Sequence, residues 1–149
     1  MRDIRISINR DKVYEEVAKT TAYIGGKNLD ANGKSLYDQV FVTKADMEML
    51  EGFWHDAIGD VSAALESVLV TEKSDSDEEE TFGLRVSSLF KGSLAKTLES
   101  TAFSYVVNKI VAEWCLLVYK DKANEYLSKE NALLDKMDAL LYMRKRPTR

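Results

Sequence analysis

At 149 residues and a formal net charge of −4, the chain has the length of one domain, able to bury about 70% of its unfolded surface in one core without a covalent staple. Apolar residues at 45% and charged residues at 31% exclude a disordered or membrane-embedded composition, and the single cysteine excludes an intramolecular disulfide, which fits a reducing cytoplasm. The acidic balance argues against general nucleic-acid binding. No run of residues reaches transmembrane length, and the start of the chain lacks the apolar core of a signal peptide, so no membrane role is expected.

Residues 3–8 alternate, with Ile4, Ile6 and Ile8 on one face, which predicts a short strand or extended arm over 1–9. From about Asp11 the period becomes helical, through Val13, Val17, Ala18, Thr21 and Ile24, and Gly25-Gly26 is expected to end this first helix as a C-cap. Residues 25–42, rich in glycine, asparagine and aspartate, read as a loop tethered by Leu36, Tyr37, Val40 and Phe41. Thr43-Lys44-Ala45-Asp46 resembles a capping box, so a second helix is expected there, with Met47, Leu50, Trp54, Ala57, Ile58, Val61, Ala64, Leu65 and Val68 as its seam.

Near Val68 the period shifts to alternation. Val68 and Val70 precede an acidic run, and Phe82, Leu84 and Val86 follow it, which predicts a hairpin over 68–88. Its tip carries Asp75, Asp77, Glu78, Glu79 and Glu80, too like-charged to be buried and expected to project into water or towards a basic partner. A third helix after Gly92 carries Leu94, Leu98, Phe103, Val106, Val107, Ile110, Trp114 and Leu117, and is expected to be the central core element. Charge interrupts this stripe around Tyr119-Lys120-Asp121-Lys122, and a new seam runs through Ala123, Tyr126, Leu127, Leu133, Leu134, Met137, Leu140 and Leu141. A tight turn near Asp121 and a single bent helix both fit that interruption. The only proline, Pro147, stops the last helix and leaves a basic arm over 144–149 containing Arg144, Lys145, Arg146 and Arg149. The expected fold is therefore a mainly α single domain over 1–149, a bundle of about four helices with an inserted β-hairpin and an extended basic C-terminal arm.

Residues that carry chemistry are sparse. His55 has no second histidine and one cysteine to join it, which is short of the usual zinc ligand set. Asp56 and Asp60 lie one helical turn apart, a spacing suited to acid–base work, but without a glycine loop or third polar group they read as a solvated face. Cys115 sits in an apolar helical run and reads as an inert thiol. Gly25-Gly26-Lys27 lacks the rest of a phosphate loop, and Asp30-Ala31-Asn32-Gly33 lacks the closing glutamate of a calcium loop. No catalytic, cofactor or metal residues are predicted. The C-terminal arm is open to three readings: a frayed end, a protein-docking arm, or a weak and salt-sensitive nucleic-acid contact.

This set of elements resembles the head–tail connector, or adaptor, proteins of tailed phages, and is similar to small virion proteins of phages and prophages of gut Bacteroidetes. The likeness lies in Val13-Tyr14-Glu15-Glu16-Val17-Ala18-Lys19-Thr20-Thr21-Ala22-Tyr23, in Leu50-Glu51-Gly52-Phe53-Trp54, and in Tyr142-Met143-Arg144-Lys145-Arg146-Pro147-Thr148-Arg149. It covers nearly the whole length. It implies a non-enzymatic neck component, assembled in the bacterial host cytoplasm into a homo-oligomeric ring of the virion. The ring would dock on the portal protein and neighbouring neck or tail proteins, with Arg144, Lys145, Arg146, Pro147 and Arg149 as the docking arm. The hairpin residues Asp75, Asp77, Glu78, Glu79 and Glu80 would make contacts between subunits. Two other classes compete with it: a small helical regulator binding nucleic acid through the same arm, and an enzyme using His55, Asp56 and Asp60.

Overall fold

The structure, a computed structural model, describes residues 2–27, 32–34, 42, 44–76 and 78–142, with the backbone only for Lys44 and residues 73–76. Strand β1 (Arg2–Asn9) runs without a loop into helix α1 (Arg10–Lys27). The switch is made by Asn9, whose Oδ1 accepts the Lys12 backbone N–H at 3.0 Å and so satisfies one of the helix's orphan donors. Helix α1 buries Val13, Val17, Thr21 and Ile24 as its spacing predicts. It does not stop at Gly25-Gly26. Both glycines stay helical through to Lys27, and among the described residues only Gly33 has a positive φ, so the expected C-cap is corrected. Gly25 is buried on the core side of this turn and Gly26 faces open space, and with neither at a positive φ the helix runs through both.

Most of the expected loop, including Leu36, Tyr37, Val40 and Phe41, lies outside the described residues, as does the capping threonine, Thr43. Val42 is buried and its N–H donates to the Thr21 hydroxyl at 3.3 Å. A 3-10 turn (Lys44–Asp46) then leads into α2 (Met47–Ala64), which buries Leu50, Trp54, Ala57, Ile58 and Val61. Asp46 makes no side-chain capping hydrogen bond there.

The predicted hairpin is present as β2 (Leu69–Ser76) and β3 (Glu79–Val86), but it is two-thirds of an antiparallel sheet of order β1-β3-β2. The pairing of β1 runs from Arg2 opposite Val86 to Asn9 opposite Glu79. That register puts Ile4, Ile6 and Ile8 on the same face as Leu84, Phe82 and Glu80, because directly opposed residues of an antiparallel pair share a face. This corrects the acidic tip. Glu79 and Glu80 belong to β3, and Glu80 is only 9% exposed on the core-facing side. Glu78 alone forms the described part of the turn, where its carbonyl accepts the Arg10 N–H at 2.7 Å. The free edge of β1 is covered, since Glu99 of the third helix accepts the Ser7 N–H at 2.9 Å.

Helix α3 (Ala95–Val118) is entered through a 3-10 turn at Gly92, where the Arg2 guanidinium occupies the place an added Cβ would take. It is the central element, packed against α1, α2, β1 and the last helix. Its buried residues point in all directions: Leu98, Ala102, Val106 and Ile110 on one set of turns, Val111, Trp114 and Cys115 on another. Leu117 is an exception to its predicted place in the core, at 59% exposed. By length and composition Gly92–Val118 reaches what a membrane crossing requires, with mean hydropathy 1.3, which corrects the expectation that no run does. In this fold that apolar character serves packing on all sides.

Tyr119 alone separates α3 from α4 (Lys120–Leu141), at φ −156° and ψ 77°. Its N–H still bonds the Cys115 carbonyl at 2.7 Å, while Lys122 bonds back to it at 3.2 Å. The interruption is a turn, one residue long, and two helices fold back on each other. Asp121 lies inside the first turn of α4, where the helix dipole favours a carboxylate, and the capping position belongs to Tyr119. Antiparallel packing is visible in the partners, since Lys109 reaches Glu130 while Thr101, earlier on α3, shares a groove with Lys136, later on α4. At the end of α4 the Tyr142 hydroxyl meets Ser67 Oγ at 3.0 Å, fixing this terminus to the α2–β2 turn. The result is a mainly α fold of four helices with a small antiparallel sheet among the described residues. Each fully buried Phe, Leu or Ile contributes about 1.5–3 kcal/mol before chain entropy, against about 0–1 for an exposed pair such as Asp3–Arg85, so the apolar core holds the fold.

Candidate functional site

The predicted docking residues divide by what the structure describes. Arg144, Lys145, Arg146, Pro147 and Arg149 lie outside the described residues, as does Asp77, and Asp75 is described only as backbone within β2. The last described residue of α4's end, Tyr142, is held at the base of the hairpin by Ser67. The acidic turn at Glu78 stands at the other end of β2, eight residues or roughly 25 Å along, against the start of α1. The two oppositely charged elements are thus rooted at opposite ends of one strand.

The three residues of the enzymatic alternative do not converge. His55 is exposed and lies 3.9 Å from Glu51 on its own helix, and Asp56 is exposed beside it. Asp60 turns inward instead. Its Oδ2 accepts the Tyr105 hydroxyl at 2.8 Å and lies 3.6 Å from Lys109 Nζ. Cys115 is fully buried, and burial pushes its thiol up to about 11, with Glu125 adding to the rise, which keeps it from being a thiolate near neutrality.

What sequence reading missed is a polar cluster where α2, α3 and α4 meet. Lys109 of α3 lies 3.2 Å from Glu113 one turn on, 3.6 Å from Asp60 of α2 and 3.9 Å from Glu130 of α4. Tyr105, Lys109 and Glu113 follow one another at four-residue spacing, so one face of the most apolar helix carries three polar groups in line. That line was the available signal, hidden because each member sits between strongly apolar neighbours. Burial raises the Tyr105 phenol far above its ordinary value, reinforced by its hydrogen bond to Asp60. For Lys109, burial pulls the value down, but the Glu113 hydrogen bond and the charges of Glu130, Glu113 and Asp60 outweigh it, and the net direction is up. Both groups therefore keep their protons across the neutral range. Glu130 is raised as well: burial raises it, Lys109 opposes, and Glu113 and Asp60 add to the rise. Its Oε2 is buried without a hydrogen-bond partner. Among the described residues no group of three or more histidine, cysteine or acidic side chains is arranged to hold a metal ion.

Three surface grooves complete the description. A groove of about 470 Å³ between β1, α1 and α3 is lined by Ser7, Lys12, Glu99 and Ser104, and it adjoins a second of about 320 Å³ lined by Glu16, Asn108, Tyr126 and Lys129. On the outer face of the sheet a third of about 310 Å³ lies over Gly83, between Arg5 and Val70, with Thr71 Oγ1 filling the place of a side chain at Gly83. None of these grooves brings together the titratable groups of the Lys109 cluster. No family model matches this chain, and neither a curated protein nor a solved structure matches it.

Proposed function

We propose that this chain is a structural component of a tailed-phage virion neck, a head–tail connector whose copies form a ring that docks on the portal. The observation that carries the reading is the placement of charge. The basic segment 144–149 follows directly on a helix end anchored at the hairpin's base, and the acidic turn stands at the hairpin's far end. A contact from the arm of one copy to the acidic turn of the next is heterologous, the kind that closes a ring when the rotation between copies allows it. Each exposed ion pair in it adds only about 0–1 kcal/mol, so repetition around the ring supplies the strength. Apolar surface is also available for burial: Tyr23 near the end of α1 and Leu117 near the end of α3 are 67% and 59% exposed.

Deleting residues 144–149 tests the arm. The truncated protein is expected to keep its helical circular dichroism and thermal midpoint while losing ring assembly and with it portal docking, and full-strength assembly and docking by the truncated form would remove the arm from the mechanism. A nuclease-treated pull-down from cells expressing the neighbouring genes tests the assignment itself. Recovery of a ring-forming portal protein supports it. Recovery of nucleic acid when nuclease is omitted, with no protein partner, would replace it with the regulator reading.

A further inference from the structure

The Lys109 cluster carries more negative charge than its one cation can balance. With every group ionised, Asp60, Glu113 and Glu130 place three carboxylates within 4 Å of one ammonium. The three are not equivalent. Glu113 has the shortest contact and is 31% exposed, and Asp60 is 44% exposed and takes the Tyr105 hydrogen bond besides. Glu130 has the longest contact, a side chain only 9% exposed, and an oxygen with no hydrogen-bond partner. Of the three, it gains least from being charged.

We propose that this cluster is a proton-operated latch, in which Glu130 is seated neutral and its ionisation in more basic solution weakens the hold of α4 on α2 and α3. The groups facing Glu130 are Asp60 from α2 and Tyr105, Lys109 and Glu113 from α3, while Tyr126 precedes it by one turn on α4. Two of these facing groups are anionic and one is cationic. Neutralising Glu130 lowers the excess of carboxylates over the ammonium from two to one and removes the cost of a buried, half-satisfied carboxylate. The proton comes from solvent, and no other group needs to change state, since Lys109 and Tyr105 hold theirs.

The sign follows from the direction of the shift. The ordinary glutamate value is 4.5 and the folded value lies above it, so the contribution of Glu130 to stability is full below 4.5 and is lost as pH rises through the folded value. The latch is closed on the acidic side and loosened on the basic side. It is a property of the subunit and holds whatever the protein docks onto.

The test is a carbon-detected NMR titration of the glutamate carboxyls in the full chain, with urea unfolding at each pH, for the wild type, E130Q and E113Q. One carboxyl titrating above 4.5 is expected in the wild type and absent in E130Q, and in E113Q it should move back towards 4.5 because a facing anion has gone. The urea midpoint of the wild type should fall relative to that of E130Q as pH rises through this titration. Glu130 titrating at or below 4.5, or a midpoint difference that stays constant with pH, would overturn the latch. If E130Q does not fold, the wild-type titration and its displacement in E113Q decide the matter alone, and a Glu130 signal that E113Q leaves unmoved counts against it.

Discussion

The protein contains two antiparallel hairpins, one of helices and one of strands, and they are completed in different ways. Helices α3 and α4 are joined by Tyr119 alone, and each finds its partner in the next stretch of chain. Strands β2 and β3 are also joined by a short turn, yet their core face is finished by β1, which arrives from the start of the sequence. A two-stranded hairpin is marginal in water, whereas a third strand with a shared apolar face makes it persist. Closeness in the sequence thus supplies the interface between the two helices, whose other faces α1, α2 and β1 cover, whereas the core face of the β-hairpin itself needs a distant strand.

Truncating the β1 side chains should break this contrast most strongly. Ile6→Ala removes a fully buried side chain opposite Phe82 and is expected to cost about 2–5 kcal/mol. Hydrogen exchange should then show β2–β3 amides losing protection before those of α3 and α4. Equal loss in both places would mean that the two hairpins unfold as one unit. A smaller effect is expected from Tyr105→Phe, which deletes the hydrogen bond to Asp60 that ties α3 to α2, at about 1.5–3 kcal/mol by urea unfolding. Glu99→Ala uncovers the Ser7 N–H at the edge of β1 and should cost about 1 kcal/mol, with faster exchange confined to that strand. Least of all, Asp3→Asn removes the pair with Arg85, 3.1 Å long but exposed on both sides. It should change stability by about 0.5 kcal/mol or less, a difference that vanishes in high salt.

The same distinction separates what the sequence made legible from what it did not. The helices were readable because Val13, Val17 and Thr21, or Leu50, Trp54 and Val61, state their period within a few turns. Alternation on either side of the acidic run was equally local, and it yielded β2 and β3. The pairing of Ile8 with Glu80 could not be read this way, because register between distant strands leaves no mark in either strand's own pattern. Without that pairing Glu79 and Glu80 looked like part of a solvated tip. The Lys109 cluster was illegible for a related reason: Asp60, Lys109 and Glu130 lie on three helices, and only their packing brings them together. On its own helix Asp60 has Asp56 for a neighbour, and its partners are Tyr105 and Lys109 across the interface.

The distance in sequence between β1 and β3 also has a consequence for synthesis. A ribosome adding ~5–20 residues per second releases β3 roughly 4–15 s after β1. For that interval Ile4, Ile6 and Ile8 have no strand to pair with, and an alternating isoleucine segment is left open to other chains. Nascent chains stalled with β3 still inside the ribosome are therefore expected to depend on chaperones to a degree that chains stalled after β3 has emerged do not.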